Sequence, residues 1–558
     1  MTAKTKSERL RRLLSHGYFA PELPPCFVSH DLAKYRKFTL DRIDALPSIK
    51  GKPAFYRYVS EPSWFYFPRF GKDDRRHGVP NPISYLLLSR AVADNYVKLR
   101  AASKQSRMSA SPPIFDWSGP RALVRPSIDL RDDFRVDLSS RREEFVSADI
   151  RAFFHSIYTH AIPWAIHGKA FAKEHRGPEH FGNLIDLLSR NAQDGQTLGL
   201  PVGPDCSRLI AEVVASAIDA ALREKVGVGP RDASRYIDDY TISSGDNLSG
   251  KNLIAALRQS VGHFELELNN EKSEILPTSV RHDTGWKQEV LSYVPREFGD
   301  DAAFQHFFYR VGRVCKLHPD ANVEKYALQN ARAAFVRANS WGKLQSHLIA
   351  AYRRNSSLVA FLVEITILRE IERSDVDRGK LAEFLEHRLP VLARENRSGE
   401  IIWFLFLAAR LRISLSAKSL EPLSELENAM VALLIAQCVN FGIVDGLVNF
   451  TLWNRSLTDA GLRSGMWLYA YESVGLGINP GLSTTFIEKD AFFAPILAKN
   501  IRFLLIESGF TSINNTLRSL KGDNARLKRV RDDFMDDFSF ELDDLDDDID
   551  GEIEDSGY

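Results

Sequence analysis

The sequence predicts an α+β region followed by an all-α region. Three observations carry that expectation. Between about residues 141 and 295, short β-type runs alternate with helical patterns. Beyond about residue 300 helical patterns dominate and few β-rich runs remain. The chain of 558 residues is 44% hydrophobic and 26% charged, enough apolar matter for a large core and for more than one domain. The expected divisions are an N-terminal arm over 1–50, a mixed region over 51–295, a helical region over 300–530 and an acidic tail over 531–558.

Residues 1–50 read as a leading arm, helical near its start and broken at "FAPELPPCF". The stretch 51–140 is mixed and rich in Arg, aromatics and Pro. "EEFVSAD" is a strand candidate that ends at Asp149. "PDCSRLIAEVVASAIDAALREK" is an amphipathic helix: Pro204 suits its first turn, and Leu209, Ile210, Val213, Val214, Ala217, Ile218, Ala221 and Leu222 form one stripe. "RYIDDYTISS", Arg235 to Ser244, reads as a hairpin with Asp238-Asp239 at its tip. A helix over 249–264 and "LELNNEKSEILP" follow. Further helical patterns cover 358–372, 379–392, 401–411, 426–438 and 466–474. They suggest stacked helix pairs, although no repeat of fixed period is legible. The closing stretch "DDFMDDFSFELDDLDDDIDGEIEDSGY" is self-repelling and poor in apolar residues, a composition that predicts disorder.

A formal net charge of zero conceals an asymmetry. From Asp532 onward there are 14 acidic residues and no Lys or Arg, so residues 1–531 hold 73 basic against 59 acidic side chains, a net of +14. A basic body suits a phosphate-rich partner, and an ordinary solvated surface is the plainer alternative. The cysteines Cys26, Cys206, Cys315 and Cys438 are scattered without a CxxC, which argues against a zinc ribbon or a disulfide framework. The opening "MTAKTKSERLRRLLSHGYF" has no apolar h-region. The apolar runs "IIWFLFLAA" and 429–448 are too short or too polar to span a bilayer. The expectation is a soluble cytoplasmic protein with no membrane partner.

The paired acids pose the chemical question. Two carboxylates about 5 Å apart at an effective dielectric of about 20 repel by about 3 kcal/mol. A two-residue hairpin tip ordinarily takes Asn-Gly or Asp-Gly. Asp149, at the end of its own strand, would add a third negative charge unless divalent cations neutralise the set. Hard oxygen donors select Mg²⁺ or Mn²⁺. Two such ions about 3.5–4 Å apart activate an attacking hydroxyl and stabilise a leaving pyrophosphate. A set of exposed turn acids is the plain alternative.

Four stretches in order resemble the motifs of reverse transcriptases. "DIRAFF" is similar to motif A, "LGLPVGPDCSRLIAE" to motif B, "YIDDY" to motif C and "LNNEKSEI" to motif D. The resemblance implies a right-hand polymerase palm and fingers over 51–295. It implies Asp149 and Asp238 as principal metal ligands, Asp239 as an auxiliary carboxylate and a backbone carbonyl from Ile150. It implies that Phe154 stacks under the sugar and selects dNTPs; as plain core it would be hard to tell from Phe153. Lys272 matches the motif D lysine that protonates pyrophosphate, and a solvated lysine is the alternative. Arg69, Lys72, Arg75 and Arg76 are one candidate grip on the triphosphate, Arg121 and Arg125 another, since guanidinium forks suit phosphate oxygens. Motif B contributes Pro201 and Gly203 to the substrate side, but Val202 stands where the family usually has a template-side Gln.

"SIYTHAIPWAIHGK" (Ser156 to Lys169) and "LLSHGYFAPELPPCFVS" (Leu13 to Ser29) resemble the abortive-infection and defence-associated reverse transcriptases of bacteria, the AbiK type among them. That resemblance covers about residues 10–290 and implies a C-terminal HEAT-like helical domain. It also implies antiphage defence by DNA synthesis, priming on a protein tyrosine, product DNA attached to protein, untemplated extension or copying of an associated noncoding RNA, and assembly as trimers or hexamers. Tyr558 ends the acidic tail, while Tyr18 and Tyr35 lie in the leading arm; these three are the priming candidates. A tail of about 25 residues spans roughly 25–30 Å as a random coil, enough to approach a site on its own or a neighbouring subunit. The acids could instead mimic nucleic acid or serve solubility alone. His155, His160 and His167, spaced by five and seven, fit no helical metal pair and read as hydrogen-bonding groups. Two competing functions are an inactive nucleic-acid-binding scaffold and a conventional RNA-templated reverse transcriptase.

Overall fold

The computed structural model of the chain describes residues 4–125, 129–243, 249–278, 285–476 and 483–522. The expected acidic tail over 531–558, Tyr558 included, lies outside the described residues. The described chain forms two compact units, each assembled from separate stretches. The first takes residues from 1–99, 154–211 and 282–517, the second from 100–153, 212–281 and 518–522. The sequence-based boundaries near 50 and 295 do not coincide with these.

In the second unit four strands make an antiparallel sheet in the order Ala233–Tyr236, Asp239–Ser243, Glu144–Asp149, Glu274–Pro277. Cross-strand pairing puts Val146 with Ile242 and Ala148 with Tyr240 on one face, while Phe145 on the other face is buried as well, so the central strand is covered on both faces. The helix Gly250–His263 packs against that strand and buries Leu253, Leu257 and Val261, spaced four apart. Ser249 caps it by accepting the Asn252 amide.

The hairpin differs from expectation by one residue. Tyr236 pairs with Asp239, so the two-residue turn is Ile237-Asp238 and Asp239 opens the next strand. The turn demands a positive φ, and Ile237 supplies it at 63°. A β-branched residue in the left-handed region is strained. Its position is over-determined: the Ile237 amide donates to Ser111 Oγ at 2.7 Å, and its carbonyl accepts from Arg235 Nη1 at 2.7 Å.

The helix expected over 204–225 runs Asp205–Val226. Its apolar stripe is buried as read at Leu209, Ile210, Val213, Val214, Ile218 and Leu222. The remaining face is not solvated, because Glu212, Ser216 and Asp219 are buried too.

In the first unit, strands Ser63–Arg69 and Lys72–Val79 form a hairpin. The helix Ser398–Leu411 packs on it, with Ser398 Oγ accepting the Tyr66 amide at 2.9 Å. Asn428 donates to the Trp64 carbonyl at 2.9 Å. Residues 4–50 are likewise integrated with the rest of the unit: the Val28 and Leu505 amides donate to the Phe503 and Cys26 carbonyls, and Trp403 donates to the Glu22 carbonyl. The helical patterns beyond 300 appear as Val359–Arg373, Arg378–Arg394, Ser398–Leu411, Ala429–Asn440 and Trp467–Glu472. Of these, 359–373, 398–411, 429–440 and 467–472 pack each on the next. No helix among the described residues is long and apolar enough to cross a membrane.

Candidate active site

The sheet register brings the acids together. Asp149, the last residue of the central strand, pairs with Asp239 across the ladder. The Ile150 amide donates to the Asp238 carbonyl at 3.2 Å, and the Asn269 amide donates to the Asp149 carbonyl at 2.7 Å. These bonds fix Asp149, Ile150, Asp238 and Asp239 at one end of the sheet, with the chain leading to Lys272 alongside. Lys272 Nζ donates to Asp149 Oδ2 at 2.5 Å. The residues of motifs A, C and D thus converge within one unit.

The electrostatics are those of crowded negative charge. Burial, then Asp149 and Asp239, push the Asp238 carboxyl up to about 7. A hydrogen bond to the Asp149 side chain adds to the rise of Asp238. Burial and Asp149 also raise Asp239, against the pull of Arg131 and Lys272. The hydrogen bond to Asp149 raises the Lys272 ammonium, which therefore stays charged. Among the described residues, no group of three or more His, Cys, Asp or Glu is already arranged to hold a metal. In the carboxylate cluster the Lys272 ammonium takes one oxygen of Asp149. The donor set itself, three carboxylates of which Asp238 is driven towards protonation by burial and by its acidic neighbours, is of the hard-oxygen type that a dication prefers.

The sequence reading missed three features of this end of the sheet. Arg131 Nη1 lies 3.5 Å from Asp239 Oδ2, and Arg135, one turn along the same Asp129–Ser139 helix, donates to Thr241 Oγ1 at 3.2 Å. Their i, i+4 spacing was the available signal. Beneath the hairpin, Arg235 is fully buried and clasps two buried acids. Its Nε reaches Asp219 Oδ2 at 2.8 Å and its Nη2 reaches Glu212 Oε1 at 2.9 Å. Burial alone would lower this guanidinium, but Asp219 and Glu212 outweigh it and hold it well above its ordinary value. Tyr240 Oη also donates to Asp219, at 2.7 Å.

The other expected site residues are distributed as follows. Arg121 and Arg125 belong to the second unit and are half-buried around the short strand Leu123–Val124. Arg69, Lys72, Arg75 and Arg76 lie on the first unit's hairpin. Arg69 donates to the Asp73 carbonyl and Arg76 stacks on Trp64 at 3.7 Å. Phe153 is buried and Phe154 half-buried, a distinction the sequence left open; the Phe154 carbonyl accepts the Leu200 amide at 2.7 Å. Gly203 sits at φ 126°, where a Cβ would come within 2.6 Å of Ala20 Cβ, so only glycine fits. Next to it, Val202 accepts the Gly78 amide, and Pro201 lies against Gly78. Tyr35 is half-buried, with Lys34 and Lys499 over its ring. Tyr18 requires a correction: it is fully buried, stacks on Tyr85 and donates to the Pro80 carbonyl at 2.6 Å. A phenol held in that way is not the mobile hydroxyl that priming needs. His155, His160 and His167 all make hydrogen bonds, to the Arg76 carbonyl, Asp186 and the Gly182 amide.

Residues 88–288 match the family model described as reverse transcriptase (RNA-dependent DNA polymerase). The matched span contains the Asp149 strand, the Asp238 hairpin and Lys272. Over that span the chain is similar to the reverse-transcriptase domain. No curated protein is a significant sequence match. Solved structures similar at low identity include three of telomerase. Apo telomerase from Candida tropicalis truncated from its C-terminal domain is 15% identical, with a TM-score of 0.29 over 45% of this chain and 54% of that one. The chain thus spans about half the length of that relative. Apo telomerase from Candida tropicalis gives 12%, 0.30, 77% and 74%. Telomerase from Candida albicans in complex with a fragment of telomeric RNA gives 11%, 0.26, 64% and 69%. Likenesses this weak define no shared activity.

Proposed function

We propose that the protein is a DNA polymerase that adds dNTPs to a hydroxyl primer, using Asp149, Asp238 and Asp239 as its metal-binding carboxylates. The convergence of these three acids with Lys272 at one end of a sheet carries the reading. Mg²⁺ or Mn²⁺ bound there would supply Lewis-acid activation of the attacking hydroxyl and charge for the leaving pyrophosphate. The Ile150 carbonyl is a further candidate ligand. The chain's own groups do the rest. Lys272, kept protonated by Asp149, is placed to exchange that bond for one to pyrophosphate and to give it a proton. Arg131 sits on Asp239 and limits repulsion within the cluster. Phe154 is the proposed filter for the 2′ position. Arg69, Lys72, Arg75, Arg76, Arg121 and Arg125 are the available triphosphate grips, and Pro201 and Gly203 shape the substrate side of motif B.

The finer reading is antiphage defence in bacteria. It is supported by the stretches Leu13 to Ser29 and Ser156 to Lys169 and by the helical region over 300–530, which would be the HEAT-like domain of that group. Under this reading DNA grows from a protein tyrosine, Tyr558 or Tyr35, either untemplated or copying a bound noncoding RNA, in a trimer or hexamer in the cytoplasm. The test is incubation with labelled dNTPs and Mg²⁺ without added nucleic acid, then denaturing electrophoresis. Label should migrate with the wild-type protein and be lost by at least 100-fold in Asp149→Asn and Asp238→Asn. Full incorporation in either variant would refute the site. Label unchanged in Tyr558→Phe would dismiss that tyrosine as primer.

A further inference from the structure

The stretch Ser156 to Lys169 supplies no residue to the carboxylate cluster, yet three of its ring-bearing side chains, Tyr158, His160 and Trp164, line a cavity of about 650 Å³ within the first unit. That size is ordinary for a small-molecule site. Tyr158 and Trp164 form an aromatic wall, ring centroids 5.7 Å apart at 65°. Trp164 already attracts cations: Lys169 Nζ lies 4.1 Å and Lys173 Nζ 5.9 Å from its ring centroid.

The cavity is also strongly positive. Arg57, Lys173 and Arg176 line it, all three exposed, and no described carboxylate pairs with any of them. The acid on its wall, Asp186, is buried and already committed. It accepts from His160 Nδ1 at 2.7 Å and from Arg190 Nε at 3.2 Å. That bond fixes the His160 ring and reserves Nε2 for a ligand. Arg190 also lines the cavity.

A ring face, uncompensated cations and an oriented imidazole side by side are what a base linked to phosphate requires. We propose that this cavity binds a nucleoside phosphate, its base against Trp164 and its phosphate among Arg57, Lys173 and Arg176. An acidic peptide would use the cations but leave the ring face idle. The ligand is either a free nucleotide or one nucleotide unit of a single strand. The proposal does not depend on polymerase activity, because none of these residues belongs to the carboxylate set.

The test uses the full chain in a chelator, so that metal-dependent nucleotide binding contributes nothing. AMP is titrated calorimetrically, and a fluorescent ten-residue oligo(A) is followed by anisotropy. Binding of AMP identifies the free-nucleotide source; binding of the oligonucleotide alone identifies the strand. In either case Trp164→Ala and Lys173→Glu should each weaken binding by roughly tenfold or more, with Tm unchanged. Should Trp164→Ala fold poorly, photocrosslinking of azido-AMP or thiouridine-bearing oligonucleotide to wild-type protein decides, with the adduct expected between residues 156 and 190. Binding unaffected by Lys173→Glu, an adduct elsewhere, or no binding of either probe would overturn the proposal.

Discussion

At the scale of single residues, Asp238 is the group whose chemistry the fold has altered most within the site. Burial, reinforced by Asp149 and Asp239, lifts its carboxyl from 3.8 to about 7. A raised acid binds a proton in the folded chain that the unfolded chain has already released. Between about pH 4 and 7, folding therefore takes up a proton, and stability falls as pH rises. Above about 7 the cost of the bare carboxylate is fully present. Asp238→Asn should thus stabilise the metal-free protein by about 1–3 kcal/mol at pH 8, discounted for partial exposure, and by roughly a third of that at pH 5. Urea melts in a chelator at both pH values measure it; equal gains at pH 5 and 8 would show that charge is not the cause. The approach of Asp149, Asp239 and Lys272 was anticipated from the ordered motifs, and the two adjacent acids between β-formers stood out as an unusual local composition. Arg131 was not, since one arginine on a polar helix resembles ordinary surface charge until the sheet places Asp239 beside it.

At the scale of elements, the hairpin presents Asp238 only because something holds Ile237 at a positive φ. That role falls to Arg235, which ties the turn carbonyl to Glu212 and Asp219 on the long helix. Removing the guanidinium leaves two buried acids without a counter-charge. Arg235→Met should cost about 3–5 kcal/mol, and adding Glu212→Gln and Asp219→Asn should recover much of that loss. Urea midpoints at constant slope report the difference. A triple variant no more stable than the single one would show that packing, not charge, makes the clasp. The helix Asp205–Val226 was legible to within a residue at each end, because its apolar stripe has a clear period. Its second, polar face is buried too, which the stripe alone does not reveal. Glu212, Ser216 and Asp219 look like a water-facing side until a partner from elsewhere in the chain is known, and periodicity carries no information about partners. The same limit explains the hairpin: strand propensity located it, but the turn register depended on Ser111 and Arg235, both fixed by tertiary bonds.

At the scale of the whole molecule, contiguous stretches of sequence do not map onto compact units. Composition changes near residue 300, yet the Ser63–Arg69 strand packs on the helix Ser398–Leu411 in one unit, through contacts that include the Tyr66 amide donating to Ser398 Oγ and that are invisible to patterning. Charge is the property that sequence does define globally. Residues 1–531 carry +14, and the 14 acids from Asp532 onward cancel it to zero. If those acids occupy the same basic surface that would hold nucleic acid, they compete with it by simple electrostatics. Ending the chain at Arg531 should then raise affinity for oligo(dT) about tenfold or more at 50 mM salt and steepen the fall of log K with log salt. The two proteins should converge as the Debye length shrinks to about 3 Å near 1 M. A control chain with those acids replaced by Asn and Gln separates charge from length and should behave like the truncation. Equal affinities of all three at 50 mM would mean that the acids never meet the basic surface, leaving solubility as their effect.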